Sequence, residues 1–455
     1  MMESSIHASA GKEPIFTPAD LKRLLFPLLL EQFLSLSMGM ADTMMVSSIG
    51  EAAISGVSLV DSINILVQQI LFAISTGGAV VASQYLGRGD QRSAKKGAAQ
   101  LYAALLMITI AGAVLLMMTS APLLSAAFGA IEPDVMHYAQ IYFLISVVSY
   151  PFMGIYGAGA ALFRAQGDSR TSMLASLVMN VINVFGNALL IFVFRMGVIG
   201  AAAATLAGRV FAALFVTWRL QRSNNIMRIE RLKAMAPDAG YIRRIMAIGI
   251  PGGIEDGMFN FGKLILNGMI STLGTAAIAA HAVCHSIGSV TNVVGSAVCV
   301  ALIPVVGRCL GAGRNDEARR CAFELMKMAY AGIIAANVLV FIFMPVIAGW
   351  FSLTGEAAAL AVRIIRSFNV VSVFIWATSF VLPNALRAGG DAKYTMAVSI
   401  ISMWLCRVVL AKYFMLDAGF GLMGVWMGMF VDWVCRSVLF VGRYRGGKWM
   451  MHKVI

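Results

Sequence analysis

A chain of 455 residues with 59% hydrophobic and only 13% charged residues, and a mean hydropathy of +0.81, is not a soluble globular protein, in which roughly 25% of residues carry charge. Its apolar runs last about 20 residues or more without strict alternation, which excludes a porin-like barrel and leaves a polytopic helical membrane protein. The net charge of +13 would by itself suit nucleic acid. The cations gather between the apolar runs, however, so the expected partner is the lipid bilayer and no nucleic acid.

In chain order, residues 1–20 are polar and contain no apolar stretch of the kind a cleaved signal peptide needs, so the first span is expected to act as the insertion signal. FTPADLKRLLF reads as a short lead-in helix, capped by Thr17, with Pro18 in its first position and Asp20 favourable at the N-terminal dipole. Twelve spans follow, at roughly 24–48, 54–81, 98–120, 137–160, 172–194, 198–218, 244–270, 278–304, 322–349, 362–386, 395–415 and 421–442.

The first span carries two acids, Glu31 and Asp42, eleven residues apart. That is close to three helical turns, so they share a face about 16 Å apart along the axis. Charge inside a span is costly and marks function by default. On span two, Asp61, Asn64 and Gln68 follow i, i+3, i+7, a face expected to line water. Span five carries a polar stripe of Asn180, Asn183 and Asn187, and span six carries Thr205. Amides offer neutral oxygens that suit Na⁺ or a hydrogen bond to Asp42, but Asn also serves as interhelical glue and a Thr hydroxyl often folds onto its own helix. Span seven brings Glu255 and Asp256; Asp256 is turned about 100° from Glu255 and is expected to pair with Lys263. His281 and His285, one turn apart with Cys284 between them, have a metal-compatible spacing but no third ligand nearby, so packing or cavity polarity is expected and no metal. The six cysteines show no CxxC spacing and read as reduced apolar residues. Arg209, Lys327, Arg407, Asp432 and Arg436 are further charges in or near spans that need partners the sequence does not name. Arg88-Gly89-Asp90 reads as a turn. GAGRND (311–316) lacks the ending of a phosphate-binding loop, so no ATP module and no cofactor is expected.

Lys and Arg alternate between loops. Counted from the N-terminus, one set holds three (Lys12, Lys22, Arg23), four (Arg88, Arg92, Lys95, Lys96), two (Arg164, Arg170), seven in the central loop (Arg219, Arg222, Arg228, Arg231, Lys233, Arg243, Arg244), then four (Arg308, Arg314, Arg319, Arg320), two (Arg387, Lys393) and four (Arg443, Arg445, Lys448, Lys453). The other loops hold Arg195, with Arg363 and Arg366 at the start of span ten, and the acids Glu51, Glu132, Asp134, Glu356 and Asp417. By the positive-inside rule both termini and the central loop are cytoplasmic. The chain divides into a cytoplasmic segment 1–20, an N-lobe 21–220, a linker 221–243, a C-lobe 244–445 and a cytoplasmic tail 446–455.

The lobes are copies. Pro27 and Pro251, Glu31 and Glu255, and Gly50 and Gly274 are each 224 apart. SQYLGRGDQRSAKKGA (83–98) matches VGRCLGAGRNDEARRCA (306–322), and ALFRAQGDSRTSM (161–173) matches NALRAGGDAKYTM (384–396). Six spans per copy give both the same orientation, so the expected fold is all-α, with twelve transmembrane helices in two six-helix lobes related by a pseudo-twofold along the membrane normal and a substrate path between them.

ADTMMVSSIG, SQYLGRGD, RAQGD, IPGGIED, VGRCLGAGRNDEARR and LRAGGD, in this order, resemble the multidrug and toxic compound extrusion (MATE) family over residues 15–445. The resemblance implies a secondary antiporter of the inner or plasma membrane that exports cationic or amphipathic organic compounds against inward H⁺ or Na⁺. Many members bind the coupling cation in the N-lobe. The matching positions are Asp42, Asn183, Asn187 and Thr205, with Asn187 where those members have Asp, leaving one carboxylate where two are usual. Others use a Glu in span seven with an Asp in span ten. Glu255 matches the first, and span ten holds no acid. On this reading Asp42 takes up H⁺ or another cation where alternating access exposes it. Glu31 and Glu255 face each other across the cavity to attract a cationic drug or relay protons, or else sit wet near the cytoplasmic ends. Gln32, Asp61, Asn64, Gln68, Asn180 and Asp256 complete the expected cavity, and the protein is expected to be monomeric. A lipid-linked precursor flippase of the same superfamily is the alternative; a membrane-embedded enzyme lacks its clustered His and acids.

Overall fold

The computed structural model of the chain describes residues 13–129, 131–222, 225–229, 235–350, 355–452 and 454–455. Of the residues read above, Lys12, Arg231, Lys233 and Lys453 lie outside these, as does the side chain of Glu356. Among the described residues every regular element is helical. The first half comprises α1 (Pro18–Ser47), α2 (Glu51–Arg88), α3 (Gln91–Met118), the short α4 (Ser120–Phe128), α5 (Pro133–Ala165), α6 (Ser169–Asn187) and α7 (Gly197–Gln221). The second comprises α8 (Ala239–Ser271), α9 (Thr275–Thr291), α10 (Val293–Gly311), α11 (Asn315–Trp350), α12 (Gly355–Trp376), α13 (Leu382–Ala388), α14 (Ala392–Ser402) and α15 (Gly421–Arg445). Turns of π-helix prolong α6 over Ala188–Val193, join α12 to α13 over Ala377–Val381 and extend α14 over Met403–Leu410. Eleven of the described helical stretches are long and apolar enough to cross a membrane. The twelfth, α8, has 33 residues, but Glu255, Asp256, Asn260 and Lys263 lower its apolarity.

Three boundaries differ from the expectation. The lead-in helix and the first span are one 30-residue helix that runs through Pro27. The capping box of Thr17 and Asp20 starts it, and the proline removes one hydrogen bond without ending it, as lipid-embedded helices tolerate. Span eight is two helices: Asn292 ends α9 and starts α10, and its side-chain oxygen accepts from Ser372 Oγ at 3.3 Å. Between spans three and four lies the extra helix α4.

The Gly-Asp pairs of the repeated motifs have one job. Gly89 (φ 81°) and Gly167 (φ 86°) adopt the left-handed conformation that closes a helix as only glycine does at no steric cost. The following Asp90 and Asp168 then cap α3 and α6 by accepting from Ser93 N and Thr171 N.

The two halves touch through reciprocal contacts between equivalent residues of α2 and α10. A Cβ on Gly87 would sit 2.0 Å from Arg308 O, and one on Gly311 would sit 2.0 Å from Gln84 O; both glycines and both carbonyl residues are 224 apart. Ser83 Oγ faces its own equivalent, Gly307. Gln84 Nε2 donates to Ala388 O at 2.9 Å, and Arg308 Nη1 donates to Gln166 O at 3.4 Å. Such exchange is the mark of a twofold relation. Nearby, Gly77 lies against the Ile245 carbonyl and Gly249 against Ile74. The start of α1 joins this closure by burying Leu21, Leu24 and Leu28 among Val298, Leu302 and Val305. All these contacts lie at the end of the bundle that carries the basic loops, and the lobes are closed there.

Candidate ion site and interlobe cleft

In the first half, four helices bring the expected residues together. Asn187 Nδ2, on the last turn of α6, donates to Asp42 Oδ1 of α1 at 2.6 Å. Asn183 Nδ2, one turn earlier, donates to Thr205 Oγ1 of α7 at 3.0 Å. The π-helical turn begins directly after Asn187, where helices depart from regular hydrogen bonding and functional sites are common. The group also includes Asp61 of α2, which accepts from Asn64 Nδ2 at 3.1 Å and from Tyr142 OH at 3.2 Å. Asn64 Oδ1 in turn accepts from Tyr150 OH at 2.8 Å. Asp42, Asp61, Tyr142, Asn187 and Thr205 line one cavity of about 20 Å³, room for a single water or a bare ion. Asn187 Oδ1 is buried with no donor. Arg209 of α7, bonded to Ser149, lies within electrostatic reach of both carboxylates. The site therefore has two carboxylates, not one. The sequence signal was Asp61 itself, which sits one span away from the positions of the motif. Asn180 is buried on the same helix, but neither of its amide atoms has a partner.

Glu31 and Glu255 are both buried and paired. Glu31 is buried, with its Oε1 3.1 Å from Arg164 Nη1 and its Oε2 accepting from Ser172 Oγ at 2.9 Å. Glu255 Oε2 lies 2.7 Å from Arg387 Nη2. Arg164 and Arg387, which the sequence groups with the loop cations, are instead the arginines of RAQGD and LRAGGD at equivalent places in the two halves, and each pairs with the buried glutamate of its own half. Asp256 does not pair with Lys263: among the described residues no ion pair joins them, and Lys263 Nζ lies over the Phe259 ring at 4.9 Å.

Between the lobes, Glu31, Gln32, Gln68, Tyr156 and Asn384 line a cavity of about 430 Å³. A larger one of about 840 Å³ is formed by α8, α9, the start of α10, α12, α15 and the π-helical turns that follow α12 and α14, with Gln32 and Leu36 of α1 on its far side. His281 and His285 line it, 6.3 Å apart between ring centres. Among the described residues no cluster has the make-up of a metal site, and all six cysteines are free thiols. Arg407 and Arg436 converge on Asp432 at 3.1 and 2.9 Å, and Lys327 pairs along its own helix with Glu324.

Two like lobes of membrane-spanning helices, closed on each other at one end and parted by cavities of mixed lining, define a secondary transporter built from a repeat. The MatE family profile matches residues 27–189 and 251–412, once per half, and the chain belongs to that family. It is 26% identical over 469 residues, 99% of each chain, to the uncharacterized transporter YisQ of Bacillus subtilis (strain 168). It is also 26% identical to the probable multidrug resistance protein NorM of Thermotoga maritima, over 96% of this chain and 94% of that one. The multidrug export protein MepA of Staphylococcus aureus (strain NCTC 8325 / PS 47) is 21% identical, over 93% of this chain and 92% of its own. Among solved structures, a MATE transporter in the bent conformation superposes with a TM-score of 0.88 at 19% identity, covering 95% of this chain and 96% of that one. The protein is thus a multi-pass membrane transporter of the MatE family and not an enzyme.

Proposed function

We propose that the protein exports amphipathic organic compounds in exchange for inward H⁺ or Na⁺, with both termini cytoplasmic and the coupling cation held in the first lobe. One observation carries this reading: Asp42 and Asp61 share an ion-sized cavity with the oxygens of Asn187 and Thr205. Two carboxylates against one Arg209 leave a single negative charge, which one cation neutralises. A proton or Na⁺ bound there removes the charge that would otherwise be costly in the membrane interior, and its arrival and departure bias the two accesses of the cleft. The names of the relatives NorM and MepA support export of organic compounds, and the basic loops at the closed end support the cytoplasmic assignment. Proteoliposomes under an imposed pH gradient, and separately under an imposed Na⁺ gradient, test it. Wild-type protein is expected to drive substrate uphill under one of the two, and Asp42→Asn to reduce transport to the passive leak. Undiminished gradient-driven transport by Asp42→Asn removes that residue from coupling.

A further inference from the structure

The lobes differ in the charge they show the cleft. The 840 Å³ cavity is lined by Lys263, Arg407, His281 and His285 and, among the described residues, by no carboxylate. Behind its wall Asp432 is fully buried, and its single charge is shared by two guanidinium groups, Arg407 at 3.1 Å and Arg436 at 2.9 Å. That triad keeps one positive charge, and Lys263 adds a second. The next acid on α8, Asp256, is two helical turns away, about 10 Å along the axis, and Glu255 is spent on Arg387. We infer that this cavity is a binding site for an organic anion with an aromatic body, the opposite charge to the cationic compounds that the family resemblance implies.

Three features point the same way. The excess positive charge of the buried triad, and the half-buried Lys263, which has no ion pair among the described residues, are costly at membrane depth, and an anionic ligand supplies a partner. Aromatic rings usually welcome a cationic ligand, but here the central ring, Phe259, is already taken: Lys263 Nζ lies 4.9 Å from its centre, Arg407 5.0 Å and Arg436 5.3 Å. Among the lining side chains, apart from His281 Nδ1, the buried polar atoms without a hydrogen bond are donors. Arg407 Nε, Trp426 Nε1 and Trp433 Nε1 are buried and have no acceptor. An acceptor-rich ligand that shifts the rings covering these atoms completes them, and a donor-rich one does not. The apolar part of the ligand meets Trp376 stacked on Phe380, Trp433 edge-to-face with Phe380, and Trp426 edge-to-face with Phe368.

The inference rests on the cleft being the transport path, but not on which ion drives transport. It is tested with two probes that share one ring system and differ in charge, 1-naphthalenesulfonate and 1-naphthylmethylammonium. Their binding to the full chain in phosphatidylcholine nanodiscs is measured by equilibrium dialysis, with empty discs subtracted. The anion is expected to bind at least tenfold more tightly, a difference of about 1.4 kcal/mol. Lys263→Gln is expected to weaken the anion by about fivefold or more without weakening the cation, and Lys263→Arg to restore it. Equal affinities, tighter binding of the cation, no binding of either probe, or an anion affinity unmoved by Lys263→Gln overturns the assignment. Should Lys263→Gln fail to assemble, the wild-type comparison decides alone. Coupling through Asp42 does not enter an equilibrium binding measurement. Loss of gradient-driven transport with anion preference intact therefore counts against the exporter reading and not against this one.

Discussion

Glu31 shows what a single residue can and cannot reveal. Its place in the first span and its repetition at Glu255 are visible in the chain, but its partner Arg164 is 133 residues away, and no local spacing connects them. The repeat itself points to the pairing: acids are duplicated at an offset of 224 and arginines at 223. Both side chains are nine-tenths buried, so removing one strands the other. Glu31→Gln is expected to destabilise the protein by about 3–5 kcal/mol, the usual cost of breaking a buried pair, read as a fall in thermal unfolding temperature. A change below about 1 kcal/mol shows the pair to be dispensable. Asp42 stands out as a charge inside a span and Asn183, Asn187 and Thr205 as polar positions on theirs, and the family resemblance groups the four as one candidate site. Asp61 was legible only as part of a wet face, since whether that face turns toward Asp42 depends on how α1 and α2 pack.

At the scale of elements, length and apolarity placed the spans, and the boundaries that differ lie at Pro27, at α4 and at Asn292. At the break, Asn292 accepts from a partner on α12, 80 residues away, which no window of sequence contains. The Gly-Asp turns were visible as turns, and their chemistry yields a pH prediction. Asp90 sits in a loop, and its bonds to the Ser93 hydroxyl and backbone hold its carboxyl below the usual range. A depressed carboxyl contributes its cap fully above the unfolded-state value, about 3.9, and loses the contribution as pH falls through the lower folded value. Stability measured across the acid range is expected to show this loss in wild type and not in Asp90→Asn, which caps without titrating. Superposable acid profiles show that the cap is not carried by the charge. The equivalent neutral-pH test is Asp168→Ala, expected to cost about 1 kcal/mol.

For the whole molecule, the question is what holds one end of the cleft shut. The 224-residue offset in the sequence predicted two lobes, but not that the duplicated glycines Gly87 and Gly311 are the very points where the lobes meet. A repeat records which residues are equivalent and is silent on which face their equivalents. At this crossing the helix backbones approach so closely that each missing side chain is filled by the other lobe's carbonyl. The neighbour is backbone, which cannot swing aside, so even one methyl group must push the lobes apart. Gly87→Ala is therefore expected to open the basic end while leaving each lobe folded. Spin labels at Gln91 and Asp316, both exposed, on a cysteine-free background, are expected to report a longer distance in the variant than in the parent. Gradient-driven transport is expected to fall with it, because a cleft that cannot close at one end leaks rather than alternates. An unchanged distance with full transport means that the crossing yields without separating the lobes, and that the closure is held instead by the α1 contacts and by Val454, which packs against Val80, Ile248 and Ile303 at the same end.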